Sequence, residues 1–277
     1  MDEYKFLQQV GKGSYGEVWK VDHGGKTIAL KIVTVTDEKI KELALREVRL
    51  LKQLSNPSCH PSLACLYDYK VEGDKLYIEM EFIEGNTLTR FAKSYRLQNR
   101  ELKLYKLLIA IIYDICKGLE YMHGKGIIHR DIKPDNIMID LNNNPKLIDI
   151  GLSCTTFDAN GKQEMCRVEY TSKEKVPCCL GSAGTPRYQA PEVLLDSVAY
   201  FPSDIFSLGA SIYVVATGTE LFPQVNNMPQ LLRATEFDPY PSLLTENLVL
   251  NSLVNNMILK DPLKRLTAQQ IISSIDS

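Results

Sequence analysis

The polar segment 129–136, HRDIKPDN, and the tripeptide Asp149-Ile150-Gly151 that follows it constrain this chain more than any other feature. Two apolar stretches between them, residues 137–139 and 146–148, have the composition of short β-strands. Residues 142–145 have the composition of a turn, so the sequence predicts a hairpin that returns the tripeptide to the polar segment. One aspartate could then orient a hydroxyl group, while the other aspartate and an asparagine oxygen hold a hard divalent cation.

A glycine-rich motif, G-x-G-x-x-G-x-V, lies near the start of the chain between two β-prone stretches, residues 6–10 and 18–21. Glycine lets the backbone approach a phosphate closely and point its N–H groups at it. The same spacing occurs in ordinary turns and in dinucleotide-binding folds, where a helix follows the motif. A strand on each side argues against the dinucleotide alternative. The motif residues are Gly11, Gly13, Ser14, Gly16 and Val18.

A lysine and a glutamate further along the chain indicate a buried ion pair. Lys31 is the one charged residue inside the β-prone stretch 27–33. The apolar periodicity of residues 37–54 predicts a helix with Thr36 as its N-cap, and Glu47 lies on the apolar stripe of that helix. A carboxylate on a buried stripe is costly unless it is paired, so Lys31 is its natural partner. The alternatives are a solvent-exposed lysine and a helix face that is exposed at Glu47.

Three further motifs lie in the second half of the chain. They are GTPRYQAPE at 184–192, DIFSLG at 204–209 and DPLKRL at 261–266. Together with the earlier motifs, and in this order, they resemble the eukaryotic-type protein kinase family, serine/threonine branch. The resemblance implies that Arg265 pairs with Glu192. The resemblance covers nearly the whole chain.

This resemblance implies an α+β, two-lobed protein kinase fold. A small antiparallel β-sheet lobe with one helix would comprise residues 1–82, and a larger, mainly helical lobe would comprise residues 83–277. Residues 1–277 would then form a single catalytic domain. Two apolar runs, 107–113 and 205–217, are too short to span a bilayer and are expected to form central helices of the larger lobe.

Composition narrows the classes of partner. A net charge of −2 and a pI near 6.1 give no reason to expect nucleic acid or an anionic membrane surface. The chain opens on a polar stretch, so no signal peptide is expected. The predicted location is cytoplasmic, with the nucleus left open.

The resemblance also assigns catalytic roles in a Mg²⁺-assisted transfer of a phosphoryl group from ATP. It implies that Asp131 accepts the hydrogen bond of the substrate hydroxyl and that Lys133 contacts the transferred phosphate. Thr185 would support the catalytic loop. Lys31, paired with Glu47, would reach the phosphates of the donor.

The remaining assignments concern the metal and the adenine ring. By resemblance, Asn136 and Asp149 hold Mg²⁺, and Met80 lies at the back of the adenine pocket. Backbone groups of Glu81 and Ile83 would bond the edge of the base. The apolar residues expected on the two faces of the purine are Val18, Ala29 and Met138.

The expected activity is ATP-dependent phosphorylation of serine and threonine hydroxyls on protein substrates. Lys133 and Thr185 favour this branch over tyrosine-specific enzymes. A pseudokinase scaffold that binds nucleotide and acts through protein contacts is the main alternative. Such proteins usually lack the lysine, the catalytic aspartate or the metal-binding aspartate, and this sequence has all three, Lys31, Asp131 and Asp149. A small-molecule kinase is a second alternative, and the GTPRYQAPE motif argues against it.

The resemblance defines an activation segment at 149–192, which is longer than expected for the family. Its polar middle is predicted to be a loop without regular elements. Arg130 is expected to grip a phosphate on this segment, added by an upstream kinase or by autophosphorylation. The candidate acceptors are Ser182 first, then Thr171 and Ser172.

Four of the seven cysteines lie in the same segment. Their spacing fits no zinc pattern, and disulfides are uncommon in cytosolic proteins, so free thiols are expected. A redox or metal-binding role is the alternative. The four residues are Cys154, Cys166, Cys178 and Cys179.

Overall fold

The structure, a computed structural model, describes residues 4–13, 16–158, 160–168 and 175–277. The chain divides into two units. The sheet unit ends at Glu84 and also includes Asp149–Gly151, whereas the helical unit comprises Gly85–Ile148 and Leu152–Ser277. This division has the predicted α+β fold class. The sequence alone does not indicate that Asp149–Gly151 cluster with the sheet.

Five antiparallel strands form the body of the sheet unit: β1 (Lys5–Gly13), β2 (Gly16–His23), β3 (Lys26–Thr34), β4 (Leu66–Glu72) and β5 (Lys75–Glu81). Their spatial order is β1-β2-β3-β5-β4. Gly24 and Gly25 join β2 to β3 with φ angles of 61° and 84°. Consecutive positive φ angles suit a tight hairpin, and glycine adopts them without steric cost. Val21, Ile28 and Leu30 are buried in the core on one side of the sheet.

One helix, α1 (Glu38–Leu54), completes the sheet unit. Its N-cap is Asp37, whose side chain accepts a hydrogen bond from the N–H of Ile40 at 2.9 Å. The prediction of Thr36 as the cap is therefore wrong by one residue. The hydroxyl of Thr36 instead lies 3.1 Å from the carboxylate of Asp37, because the carboxylate is the acceptor that reaches the first turn.

Seven α-helices dominate the described part of the helical unit. They are α2 (Leu88–Leu97), α3 (Glu101–Gly124), α4 (Pro191–Asp196), α5 (Phe201–Thr217), α6 (Met228–Phe237), α7 (Leu248–Met257) and α8 (Ala268–Asp276). The two predicted apolar runs lie in α3 and α5, which bury Leu108, Ile112, Leu208 and Ile212 almost completely. Among the described residues, no helix combines the length and the apolar character that crossing a membrane requires.

The predicted hairpin is confirmed. Its strands are β8 (Ile137–Asp140) and β9 (Pro145–Leu147), which pair antiparallel beside β6 (Gly85–Thr87). Asp140 organises the turn, since its carboxylate accepts hydrogen bonds from the N–H groups of Asn142 and Asn144 at 2.8 and 2.7 Å. This is the turn chemistry that the asparagine run predicts.

The activation segment contains regular elements, which corrects the prediction of an irregular loop. Cys154–Thr155 (β10) pairs with Ile127–Ile128 (β7), directly before the polar segment. Met165–Arg167 (β11), Lys175–Leu180 (β12) and Val198–Tyr200 (β13) form a three-stranded sheet. Buried Val168, Cys178 and Tyr200 give this sheet a small core, which the polar composition of the segment conceals. Thr171 and Ser172 lie outside the described residues.

The prediction of free thiols is wrong for all four cysteines of the activation segment. The disulfides are Cys59–Cys65, Cys154–Cys179 and Cys166–Cys178. Cys116 is the free cysteine, and it is buried in α3. Strand pairing explains the bond Cys166–Cys178, because Cys166 faces Val176 across β11 and β12 and thereby lies near Cys178. Sequence spacing carries no record of such pairing.

The predicted ion pair of Glu192 with Arg265 is confirmed and is bidentate, with both distances at 2.7 Å. The two side chains are 2% and 0% exposed. A buried pair of this kind is tolerated only when the remaining polar atoms find partners. The hydroxyl of Ser203 donates to Glu192 at 2.6 Å, and Arg265 also donates to the carbonyl oxygens of Leu259 and Lys260.

Candidate active site

Four predicted site residues lie on one face of the sheet unit. Val18 on β2 pairs directly with Lys31 on β3, and Ala29 pairs directly with Met80 on β5. Directly paired residues of an antiparallel sheet point to the same face, and so do residues two apart on one strand. Strand register therefore brings together the lysine and three of the apolar residues that the sequence predicts around a nucleotide.

Lys31 is held by two acids. Its Nζ lies 2.7 and 2.8 Å from the two carboxylate oxygens of Glu47 on α1, and 3.6 Å from Oδ1 of Asp149. The side chains of Lys31 and Glu47 are only 16% and 7% exposed. The predicted pairing of Lys31 with Glu47 is confirmed, and the alternative of a solvent-exposed lysine is excluded.

The charge of Lys31 is fixed by these neighbours. Burial acts to lower its pKa, but the charges of Glu47 and Asp149 and their hydrogen bonds outweigh burial and raise the pKa above the ordinary 10.5. Lys31 is therefore cationic throughout the physiological pH range. A positioned ammonium group on this face is suited to an anionic ligand such as a polyphosphate.

The glycine-rich motif forms the β1–β2 hairpin, in which Gly11 pairs with Val18 and Gly13 pairs with Gly16. A Cβ atom at Gly16 would lie 2.4 Å from the carbonyl oxygen of Ile32, so strand packing requires glycine there. A Cβ atom at Gly11 would make an ordinary contact of 3.5 Å with Val18, so packing does not explain that glycine. Space beside Gly11 is consistent with close approach of a ligand. Ser14 lies outside the described residues.

Of the predicted base-edge residues, Glu81 is the last residue of β5 and Ile83 lies two residues further along the chain. The N–H of Glu81 already donates to the carbonyl oxygen of Cys65 at 2.9 Å, so its carbonyl is the better candidate for a ligand. Ile83 is buried. Lys20 on β2 fixes this segment, because its Nζ lies 3.0 Å from the carboxylate of Glu84 and 4.5 Å from the ring centre of Phe82.

The helical unit assembles a hydrogen-bonded group around Asp131. The hydroxyl of Thr185 donates to Oδ1 of Asp131 at 2.7 Å, and Nζ of Lys133 donates to Oδ2 at 2.9 Å. Lys133 also donates to the hydroxyl of Thr185 at 2.8 Å. Asn136 adds bonds from Nδ2 to the carbonyl oxygen of Asp131 at 2.9 Å and to its Oδ2 at 3.0 Å. Three predicted residues thus meet at the nearly buried carboxylate of a fourth, Asp131.

A fifth residue, Asp204, shapes the backbone of this group. Its buried carboxylate accepts hydrogen bonds from the N–H of His129 at 2.8 Å and of Arg130 at 2.9 Å, and it lies 2.9 Å from Nε2 of His123. Arg130 has a φ of 66°, in the left-handed region that non-glycine residues rarely occupy. Asp204 supplies the bonds that hold this strained turn. Sequence reasoning gave Asp204 no role, although an aspartate in an otherwise apolar helix is a usable signal.

Two residues, Asn136 and Asp149, are the predicted cation ligands, and their side-chain oxygens can be compared with what Mg²⁺ requires. Both Nδ2 bonds of Asn136 point to Asp131, which leaves its amide oxygen as an acceptor. Asp149, in the sheet unit, is half-exposed with a φ of 59°. Amide and carboxylate oxygens suit Mg²⁺, which is commonly held by one or two protein groups together with phosphate oxygens. No cluster of three or more histidine, cysteine or acidic side chains fit for a metal occurs among the described residues. The joint role of the two residues stays a prediction, as does the contact of Met138 with a base.

These features agree with the comparison to known families. The chain matches the family described as "Protein kinase domain" over residues 4–275, and it belongs to that family. The fold class and the order of the motifs that the sequence predicts are those of this family.

Curated relatives narrow the class. Serine/threonine protein kinase OSK3 of Oryza sativa subsp. indica is 29% identical over 280 residues, which is 98% of this chain and 49% of the relative. Serine/threonine protein kinase OSK4 of the same subspecies gives the same figures. Cyclin-dependent kinase B2-1 of Oryza sativa subsp. japonica is 34% identical over 243 residues, 84% of this chain and 68% of the relative. The chain thus spans about half the length of the first two.

The charge pairing on the sheet predicts a pH-dependent stability difference. Glu47→Gln should lower the free energy of unfolding by about 3 kcal/mol at pH 8, because it leaves the buried ammonium of Lys31 with Asp149 as its remaining acid. Since the folded-state pKa of Lys31 is raised above 10.5, the ion pair stabilises the protein fully below that pH and loses its contribution above it.

Urea unfolding of both proteins at pH 8 and at pH 11 measures this difference. The gap between wild type and Glu47→Gln should narrow at pH 11. Glu38→Gln is the matched control, because it weakens an exposed ion pair with Lys41 and should change stability by less than about 1 kcal/mol. An equal effect of the two substitutions would contradict the account of Lys31.

Proposed function

We propose that this chain transfers the terminal phosphoryl group of ATP to serine and threonine hydroxyls of protein substrates. The observation that carries the proposal is the group formed by Asp131, Lys133, Thr185 and Asn136, in which a nearly buried carboxylate is held by three side chains. Membership of the protein kinase domain family and the names of the relatives support it.

The carboxylate of Asp131 is the group that accepts the hydrogen bond of the substrate hydroxyl and orients its oxygen toward the phosphorus. Thr185 and Lys133 fix the carboxylate in one orientation, so the hydroxyl meets a preorganised acceptor. The ammonium of Lys133 also offsets charge on the transferred group. Phosphoryl transfer has a loose transition state, so positioning and charge stabilisation are what the protein must supply.

On the sheet unit, Lys31 holds the phosphates of the donor. Glu47 keeps the ammonium in place and charged, so that the lysine meets the nucleotide without a change of rotamer. Val18, Ala29 and Met80 share its face and offer apolar contacts to the purine. The carbonyl of Glu81 and the backbone of Ile83 bond the edge of the base, and Met138 is proposed as a further apolar contact. Gly11 gives the phosphates room.

Asn136 and Asp149 are the proposed ligands of Mg²⁺, which when bound neutralises the phosphate charge of the donor. The oxygen of Asn136 is oriented for this role by the two bonds that its Nδ2 makes to Asp131. Asp149 contributes a second charge near Lys31.

Serine and threonine are favoured over tyrosine as acceptors. Lys133 donates a hydrogen bond to the hydroxyl of Thr185 at 2.8 Å, and both residues also donate to Asp131. The lysine is therefore part of the hydrogen-bonded group around the carboxylate. The relatives that carry "serine/threonine" in their names support this choice. A pseudokinase scaffold has no supporting observation, because Lys31 and Asp131 are both present and engaged.

The hydroxyl of Thr185 gives a direct test. Thr185→Ala should lower kcat for transfer to serine peptides by about tenfold to a hundredfold, because Asp131 loses a bond that fixes its orientation, and the KM for ATP should change little. Thr185→Ser keeps the hydroxyl and should retain most of the activity. Transfer of labelled phosphate from Mg-ATP to a mixed peptide library measures both, with Asp149→Asn as the inactive control.

Two results would contradict the proposal. Phosphate transfer by Asp149→Asn at the wild-type rate would rule out the proposed role of Asp149 as a metal ligand. Tight nucleotide binding by the wild type with no transfer to any peptide would favour the scaffold alternative.

Ser182 is the proposed regulatory acceptor of phosphate. The guanidinium of Arg130 donates to the carbonyl oxygen of Leu152 at 2.7 Å and reaches that of Gly181, the residue before Ser182, at 3.4 Å. A phosphate on Ser182 would lie within reach of the same guanidinium and form charge-assisted bonds. The donor is an upstream kinase or the chain itself.

Mass spectrometry of active and phosphatase-treated protein tests this role. Ser182→Ala should then resemble the dephosphorylated protein, with activity several-fold lower than the modified form, since Arg130 would lack a phosphate partner. Full activity from a chain whose Ser182 is unmodified would rule out the role. Thr171→Ala and Ser172→Ala serve as controls for modification elsewhere in the segment.

A further inference from the structure

The disulfide Cys154–Cys179 joins two strands of the activation segment, β10 and β12. Cys154 lies on β10 and faces Ile128 on β7, which immediately precedes His129. Cys179 lies on β12, which ends one residue before Gly181 and five before Thr185. One covalent bond thus connects β12, the strand that leads toward Thr185, to β10, the strand that pairs with the segment entering the catalytic loop. We call this bond the segment staple.

Hydrogen bonds continue from the staple to the catalytic loop on both sides. Directly before Cys154, the hydroxyl of Ser153 donates to the carbonyl oxygen of His129 at 3.2 Å, and Leu152 accepts from Arg130. After Cys179, the carbonyl oxygen of Gly181 accepts a hydrogen bond from the guanidinium of Arg130 at 3.4 Å. Both ends of the staple are therefore coupled to residues that touch Asp131 or its neighbours.

The second bond, Cys166–Cys178, lies within the small sheet of the activation segment. That sheet has its own packed core of Val168, Cys178 and Tyr200, and the hydroxyl of Tyr200 donates to the carbonyl oxygen of Arg167 at 3.1 Å. Four of the chain's seven cysteines thus pair within one segment. The activation segment therefore contains two of the three disulfides.

We propose that Cys154 and Cys179 form a reversible redox site, whose substrate is a low-molecular-weight disulfide of the glutathione type and whose oxidised form orders the activation segment for catalysis. The proposal rests on the proposed kinase function for its effect on activity. Its structural part, the ordering of the segment by the staple, is independent of that function.

The chemistry is thiol–disulfide exchange. The thiolate of one cysteine attacks a sulfur of the small disulfide, whose S–S bond breaks and releases one thiol as a mixed disulfide forms. The thiolate of the other cysteine then attacks the protein sulfur of the mixed disulfide and releases the second thiol. The protein sulfurs lose two electrons and two protons, and the small disulfide is reduced to two thiols.

The direction of the effect follows from the contacts. In the oxidised form, Thr185 and Lys133 bond Asp131, and Arg130 bonds the carbonyl oxygens next to both ends of the staple. Reduction removes the covalent link and lets β12 separate from β10, so that the chain carrying Thr185 is held less firmly. The reduced protein should transfer phosphate about tenfold more slowly, because small misplacements of catalytic groups are costly.

The test compares full-length wild type after treatment with dithiothreitol and after reoxidation with glutathione disulfide. Thiol labelling with mass spectrometry identifies the reduced cysteines, hydrogen exchange follows residues 175–185, and peptide phosphorylation gives kcat/KM. Cys154→Ser/Cys179→Ser should have the hydrogen exchange and the kcat/KM of the reduced wild type, and neither reagent should change them. Cys59→Ser/Cys65→Ser, which removes the disulfide of the sheet unit, should keep the full response, as should Cys166→Ser/Cys178→Ser.

Faster hydrogen exchange at 175–185 on reduction, together with the loss of activity, is the expected result. Equal exchange in the two redox states would overturn the proposal whatever the activity, and changed exchange with unchanged kcat/KM would overturn its catalytic part. Absence of transfer in both states would count against the proposed function instead, and the exchange and labelling results would then decide the redox site alone.

Discussion

The hydrogen bonds that the carboxylate of Asp204 accepts from the backbone of His129 and Arg130 are the constraint on which the candidate active site depends. They hold Arg130 in a left-handed conformation, and the chain reverses there so that Asp131 can be reached by Lys133, Asn136 and Thr185. A buried carboxylate is stable when backbone N–H groups donate the hydrogen bonds that water would otherwise supply. The catalytic loop is thus built on α5, a rigid apolar helix, although the loop itself has almost no regular structure.

In the sheet unit, the ammonium group of Lys31 is kept charged and in a fixed position by its neighbours. A lysine on β3 would lose its charge on burial without partners, and two acids prevent this. Glu47 comes from the buried stripe of α1, and Asp149 is the first residue of the activation segment. Since Asp149 belongs to this unit, a change in the segment that begins at residue 149 can act directly on Lys31.

Local patterns explain why much of this could be predicted from the sequence. The hairpin 137–147, the α1 stripe with Glu47 and the pairing of Lys31 follow from periodicity and from the cost of a lone buried charge. The N-cap was harder, because Thr36 and Asp37 both have suitable side chains and only the backbone geometry selects Asp37. The disulfides and the role of Asp204 depend on strands and helices far apart in sequence, so composition and spacing do not reveal them. The small sheet of the activation segment escaped prediction because its core is only a few residues.

The most direct test of the central claim is the activity of Asp131→Asn, measured as phosphate transfer from Mg-ATP to serine peptides beside the affinity for ATP. Asparagine has nearly the same size and can keep part of the bonding with Thr185 and Lys133, but it cannot accept a proton. The account predicts a loss of activity of about a hundredfold or more, with nucleotide affinity essentially unchanged. Activity close to that of the wild type would show that the carboxylate at 131 is not the group that orients the substrate hydroxyl, and would contradict the account at its centre.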